Sequence, residues 1–255
     1  MDLEKAKLDL ARFDSDEDYY GDTSYVTNSM LGRLKKSPKH LSHYLKYGSG
    51  TSQALEFGRA FHLCILEPDK FTKEVVLYQG RRAGKDWTAF KENKKNYLIL
   101  NQTEFDSLRY MRDSIISNEI ARDLIDNCKK EVPMVWEDSD TGVLCKGKAD
   151  GVADDYLLDL KTTREPNLFN FKRSAMKYGY DRQTAFYLDG FQKRDFWFIC
   201  IEKDAPNNLV IASASNEFIN RGREDYKQLL VEYKKYFIDK ESKETPQSSY
   251  EIGIL

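Results

Sequence analysis

Residues 143–161 read VLCKGKADGVADDYLLDLK. Apolar and charged residues alternate from 143 to 152, and an aromatic, leucine- and threonine-rich run follows from 156 to 162; both have the period of two expected of strands. Ala153-Asp154-Asp155 between them is a tight connection. Upstream, 132–137 has the same period and ends in the turn cluster Asp138-Ser139-Asp140-Thr141-Gly142. The three runs predict an antiparallel meander. Along the third, Leu158 and Leu160 point one way, toward a core, and Asp159 and Lys161 point the other. Asp150 lies near the end of the neighbouring strand, so two carboxylates and an amine can converge. Close carboxylates repel unless a positive charge lies between them. Lys161 alone can supply it, giving a structural ion cluster. A divalent cation can supply it too, and aspartate oxygens favour Mg²⁺ or Mn²⁺ over zinc. D-x-K is a common tripeptide, and on these residues alone both readings stay open.

Outside this stretch the period is helical. Residues 25–47 form helix broken at Ser37-Pro38, and 53–66 form a second helix capped by Thr51 or Ser52 and closed by Pro68. It carries Gly58 and His62, four apart on one face. Thr103 with Asp106 predicts another helix start, and a shorter helix covers 119–127. After Pro166 two helical segments run through 168–192, with Gln183 and Tyr187 again four apart. Strands at 196–202 and 209–214 precede a closing helix at 216–239. The order predicts a single α/β (α+β) domain with a mixed sheet flanked by helices and an N-terminal helical elaboration. Its expected bounds are 25–239, between an acidic N-terminal segment, 1–24, loose at least as far as Asp18, and a loose tail, 240–255. Residues 80–96 carry Arg81, Arg82, Lys85, Lys91, Lys94 and Lys95 with Trp87 and Phe90 interleaved. They read either as a solvated helix with aromatic anchors or as an arm that meets phosphates and stacks on bases.

Composition narrows the partners. Forty basic and 42 acidic residues among 255 leave a net charge of −2, so a polybasic binder is excluded and any nucleic-acid contact must be local. No apolar run approaches the ~20 residues of a membrane span. The first 20 residues lack the basic head and apolar core of a signal peptide. Cys64, Cys128, Cys145 and Cys200 are far apart, which disfavours zinc knuckles and iron–sulfur ligation and predicts buried, reduced thiols in a cytoplasmic protein.

Taken in order, G-x-x-x-H (58–62), an upstream acid, Asp150, D-x-K (159–161) and Q-x-x-x-Y (183–187) resemble the PD-(D/E)XK nuclease superfamily. The arrangement is most similar to the RecB/lambda-exonuclease branch and, within it, to the phage and prophage exonuclease VIII (RecE) nuclease domain. SMLGRLKKSP (29–38), ALEFGRAFHLCILEPDKF (54–71), RRAGKDW (81–87), TGVLCKGKADGV (141–152), LLDLKTT (157–163) and RQTAFYLDGF (182–191) extend the likeness over most of the chain.

The resemblance implies a restriction-endonuclease-like core and a Mg²⁺-dependent exonuclease, with Mn²⁺ able to substitute and two ions per site. It would act 5′ to 3′ on double-stranded DNA ends and leave 3′ single strands for annealing recombination. It places metal ligands at Asp150, Asp159 and the Leu160 carbonyl, with His62 beside them. Lys161 orients the attacking water, and Gln183 and Tyr187 support Lys161 and the scissile strand. Glu131 takes the place of an upstream acid, with Glu137 as the alternative. Asp159 stands where many relatives carry Glu. Ser29, with Lys35 or Lys36, and Arg59 are candidates for a 5′-phosphate pocket. The implied partners are a homo-oligomeric ring, trimer or tetramer, and a single-strand annealing recombinase, in a bacterial or phage-infected cytoplasm. The rivals are a restriction-type or CRISPR-associated endonuclease, and a DNA-binding module without activity.

Overall fold

The computed structural model describes residues 10–13, 15–50, 52–164 and 167–239. Four helices open it: α1 (Asp16–Gly21), α2 (Asn28–Leu34), α3 (Pro38–Tyr47) and α4 (Gln53–Leu66). Then come α5 (Pro68–Glu74), strand β1 (Val75–Leu77), α6 (Gly84–Asn93), β2 (Leu98–Leu100), α7 (Gln102–Ser117) and α8 (Glu119–Asp126). The predicted meander is β3 (Lys129–Glu137), β4 (Leu144–Val152) and β5 (Tyr156–Thr163). Helices α9 (Leu168–Tyr178) and α10 (Tyr180–Phe191), strands β6 (Asp195–Glu202) and β7 (Leu209–Ser213), and α11 (Asn216–Tyr233) complete the domain. The chain's final described turn, Lys234–Ile238, is π-helical and not the α-helix expected through 239.

The main sheet is mixed and follows chain order, β3-β4-β5-β6-β7, antiparallel except for β5 beside β6. The parallel pair needs a crossover, which α9 and α10 supply. Side-chain alternation divides the core. Leu157, Phe196, Phe198 and Cys200 pack with α2, α3, α10 and α11 on one face; Leu158, Leu160, Ile199 and Ile201 pack with α4, α7 and α8 on the other. Gly222 lets α11 meet the start of α10, since a Cβ there would lie 1.9 Å from the Asp181 carbonyl oxygen. All four cysteines are buried and free of disulfides. No helix among the described residues is long and apolar enough to cross a membrane.

Two expectations are corrected, and one feature was not expected. The N-terminal segment, expected to hang loose to Asp18, is folded against the sheet in its described part. Phe13, Tyr19 and Tyr25 form a small buried cluster with Val135. The buried Lys146 holds it by donating to the carbonyls of Tyr19 and Asp22, its ammonium over the Phe13 and Tyr19 rings. Helix α7 is capped by Asn101 and not Thr103. Asn101 Oδ1 accepts from the Glu104 N–H and Glu104 accepts from the Asn101 N–H, a reciprocal box two residues upstream of the expected pair. Strands β1 and β2, unmarked in the sequence, pair in parallel beside the main sheet. Of the two proposed caps for α4, Ser52 takes the role, accepting from the Leu55 N–H; Thr51, Pro166 and the tail from 240 lie outside the described residues.

Candidate active site

The β4–β5 ladder has only two rungs, Gly151 with Leu158 and Val152 with Leu157. Beyond them the strands part, and the candidate site lies in the fork, not at the hairpin tip. Asp150 comes just before the last rung on β4, and its Oδ2 crosses the gap to accept from the Leu160 N–H at 2.7 Å. Asp159 and Lys161 follow on β5, Nζ to Oδ2 being 2.5 Å. Helix α4 enters from one side and sets His62 Nδ1 3.3 Å from Asp150 Oδ1. Helix α10 enters from the other, and Gln183 Nε2 donates to Asp159 Oδ1 at 2.7 Å. Tyr187, one turn on, packs its ring against β4 at Gly147. Gly147 makes room for it, because a Cβ there would fall 2.8 Å from the Tyr187 ring.

Glu131 sits across β3 from Asp150, between the rungs Lys130–Gly151 and Val132–Ala149. Its backbone is left-handed, φ 51°, a conformation costly for a residue with a Cβ. Its Oε1 lies 3.9 Å from His62 Nδ1 and its Oε2 3.6 Å from Lys148 Nζ. Glu137, the alternative acid, is at the opposite end of β3, paired with Leu144.

These groups line one open cleft of about 540 Å³. Burial disfavours every charge in it, and the neighbours decide which charges persist. Burial presses His62 toward neutrality, yet the Asp150 charge and its hydrogen bond prevail and push the imidazole up to about 10. Burial likewise opposes Asp150, but protonated His62 and Lys161 hold it below the ordinary carboxylate range. Asp159 goes the other way: burial and the Asp150 charge outweigh Lys161 and raise it. Burial opposes the Lys161 charge too, but Asp159 and Asp150 keep the amine charged. Two carboxylates of one fork are thus driven apart.

The donor set suits a hard divalent cation. His62, Glu131 and Asp150 each offer one ligand atom within 4.8 Å of the others. Asp159 is not one of the three, being engaged by Lys161 and Gln183. Its Oδ2 is buried and accepts no well-directed hydrogen bond, only the ionic contact with Lys161.

The remaining candidates are spread out. Arg59 lines the cleft and pairs with Asp16 and Glu74. Ser29 lines an adjoining depression that shares Tyr20, Lys148, Gln183 and Tyr187 with it. Lys35 lies away, bound to Asp225 of α11 at 2.6 Å. The guanidinium of Arg82 is engaged by Glu104 at 2.7 Å and by the Ile99 carbonyl at 2.5 Å, as an internal brace. Trp87 lines a separate groove of about 730 Å³ with Lys91, Lys94 and Lys95; Arg81 is exposed on the loop before α6. Lys148, Asp16 and Tyr20 are cleft residues that motif reading missed. The strand period alone places Lys148, two positions before Asp150, on the same face; nothing local in the sequence brings Asp16 there.

The fold is similar to that of a candidate exonuclease from Eubacterium rectale, with 17% identity and a TM-score of 0.59 over 85% of this chain and 82% of that one. Weaker likenesses reach a phage-related exonuclease from Haemophilus somnus 129PT (16% identity, TM-score 0.39, 86% and 96% covered) and the alkaline exonuclease LHK-Exo of Laribacter hongkongensis (12%, 0.30, 49% and 67%). No curated protein matches the chain in sequence. The family described as PDDEXK-like domain of unknown function (DUF3799) matches residues 27–252. That span takes in the whole main sheet and every residue of the fork, His62 through Tyr187, and leaves out residues 1–26, with α1, and 253–255, so the chain belongs to this family.

Proposed function

We propose that the chain is a metal-dependent deoxyribonuclease that resects linear duplex DNA 5′ to 3′. The observation that carries the reading is the fork itself: a histidine and three carboxylates meet a charged lysine in a cleft open to solvent. An ion cluster serving stability alone has no need of an open cleft or of a strained Glu131. The direction of digestion and the end requirement follow the motif resemblance. So do the 3′ strands delivered to an annealing recombinase, the trimeric or tetrameric ring and the cytoplasmic setting.

Asp150, Glu131 and His62 would hold Mg²⁺, or Mn²⁺ in its place, His62 giving up its proton to do so. The Leu160 carbonyl leaves β5 on the same side as the N–H that binds Asp150, and adds an oxygen. Asp159 borders the same gap and would join a second ion. A cation there supplies charge neutralisation for the phosphodiester and a lowered pKa for bound water. The rest falls to side chains. Lys161 stays protonated between Asp159 and Asp150, so it orients the incoming water by donating to it and offsets charge building on the phosphoryl oxygens. Gln183 fixes Asp159, which in turn fixes the ammonium. Tyr187 walls the cleft beside β4. Arg59 and Ser29 face incoming phosphate, and Arg81 and Trp87 contact DNA farther out.

Incubating the chain with linear and closed circular duplex in Mg²⁺ or EDTA tests this. Linear DNA should be digested from its ends in Mg²⁺ only, and Lys161→Ala should abolish digestion with its melting curve preserved. Cutting of circles would mark an endonuclease instead. Digestion by Lys161→Ala at the wild-type rate would remove the fork from the chemistry.

A further inference from the structure

Helix α1 lies outside the family match, yet it delivers an acidic side chain into the cleft. Asp16 bridges two cations there: its Oδ1 is 2.6 Å from Lys148 Nζ and its Oδ2 is 3.3 Å from an Arg59 terminal nitrogen. Each cation also has a partner inside the domain, Glu131 for Lys148 at 3.6 Å and Glu74 for Arg59 at 3.1 Å. Among the described residues Asp16 is therefore the anion shared between them, and it comes from the short helix that precedes the family match. Burial raises its carboxyl, but the Lys148 and Arg59 charges outweigh this and hold it ionised. Two anionic oxygens spanning a lysine and an arginine beside a metal-ligand cluster are what a phosphodiester presents. Four residues after Asp16, on the same face of α1, Tyr20 offers an exposed ring to the same cleft.

We propose that Lys148 and Arg59 form the site for a substrate-strand phosphate next to the scissile bond, and that the Asp16 carboxylate occupies it until DNA displaces it. Lys148 is then a substrate-binding residue, and α1 a built-in competitor of the substrate. The proposal rests on the nuclease reading.

The test is equilibrium binding of the full chain to a short duplex in EDTA, followed by fluorescence anisotropy over a range of salt. Asp16→Asn should tighten binding, on the order of fivefold. Lys148→Met should weaken it and lower the slope of log affinity against log salt by about 0.9, the signature of one lost phosphate contact. In the double variant the gain from Asp16→Asn should shrink, because the cation it frees is gone. A duplex with 5′-phosphate ends and one with 5′-hydroxyl ends identify the phosphate. A Lys148→Met effect confined to the former assigns the terminal group, and an equal effect assigns an internal one. Asp16→Asn could also unseat α1, so Lys148→Met and Arg59→Gln carry the decision: an unchanged salt slope in both overturns the proposal. If the wild type digests linear DNA while those slopes stay fixed, only this proposal fails. If the wild type neither binds nor digests DNA, the nuclease reading fails with it.

Discussion

Glu131, the third residue of β3, has the left-handed φ of a glycine position at the one place where the β3–β4 ladder skips a rung. Such a backbone costs about 1–2 kcal/mol for an L-residue. What the conformation accompanies is a carboxylate set between His62 and Lys148. Glu131→Gly should therefore leave the melting temperature unchanged or raised while lowering cleavage on the order of a hundredfold. A marked drop in melting temperature would mean that the side chain, not the backbone, dominates stability there. At this scale the sequence was informative where type and spacing coincide: His62, Asp150, Asp159, Lys161, Gln183 and Tyr187 all reach one cleft. It was silent on Lys148, because a lysine on an alternating strand is ordinary until its neighbours are known. It marked Arg82 by its basic surroundings, and the groove it lines with Trp87 agrees with them, but it gave no sign of the partner, Glu104, that holds the guanidinium.

At the scale of elements, legibility followed how much of an element's stability is local. Helix α4 was readable in its bounds, with its cap narrowed to two neighbouring residues, because its cap, its apolar stripe and the closing proline are all local signals. The three-residue strands β1 and β2 were not, since each is held by a partner more than twenty residues away. The start of α7 was misplaced by one competing signal: Thr103 and Asp106 suit the rule, but Asn101 and Glu104 satisfy it with both hydrogen bonds. Glu104 also binds Gln53 of α4 and the Arg82 guanidinium, tying three segments to one carboxylate. Burial would raise its pKa, yet the Asn101 N–H, Gln53 and Arg82 hold it below the ordinary 4.5. A carboxyl depressed on folding stabilises fully above its unfolded value, and that contribution is lost as pH falls through the folded one. Glu104→Gln keeps the cap but not the charge. The wild type should melt higher than this variant above pH 4.5 and converge on it with acidification below that. A gap independent of pH would show that the charge contributes nothing.

Across the whole molecule, the feature on which the proposed function rests is the split between two strands whose pairing stops after two rungs. Alternation gave the faces of β5, but not the fork, because strand separation is imposed by what enters it: α4 with His62 and α10 with Gln183 and Tyr187. The same arrangement brings Glu131, Asp150 and Asp159 near one another, offset by protonated His62 and by Lys161. On the proposed reading the folded chain binds a divalent cation that the unfolded chain, with its ligands dispersed over positions 62 to 159, does not, and the ion then stabilises the fold by mass action. At a hundredfold excess over the dissociation constant this amounts to about 2.7 kcal/mol, or roughly 5–10 °C in melting temperature for a domain of this size. Mn²⁺ should raise the wild-type transition by that order against an EDTA control, and should not raise that of Asp150→Asn, which removes the carboxylate shared by His62 and the Leu160 N–H. Thermal unfolding by circular dichroism decides it without reference to cleavage. An equal rise in the variant would place the ion elsewhere and leave the fork an ion cluster of protein groups alone.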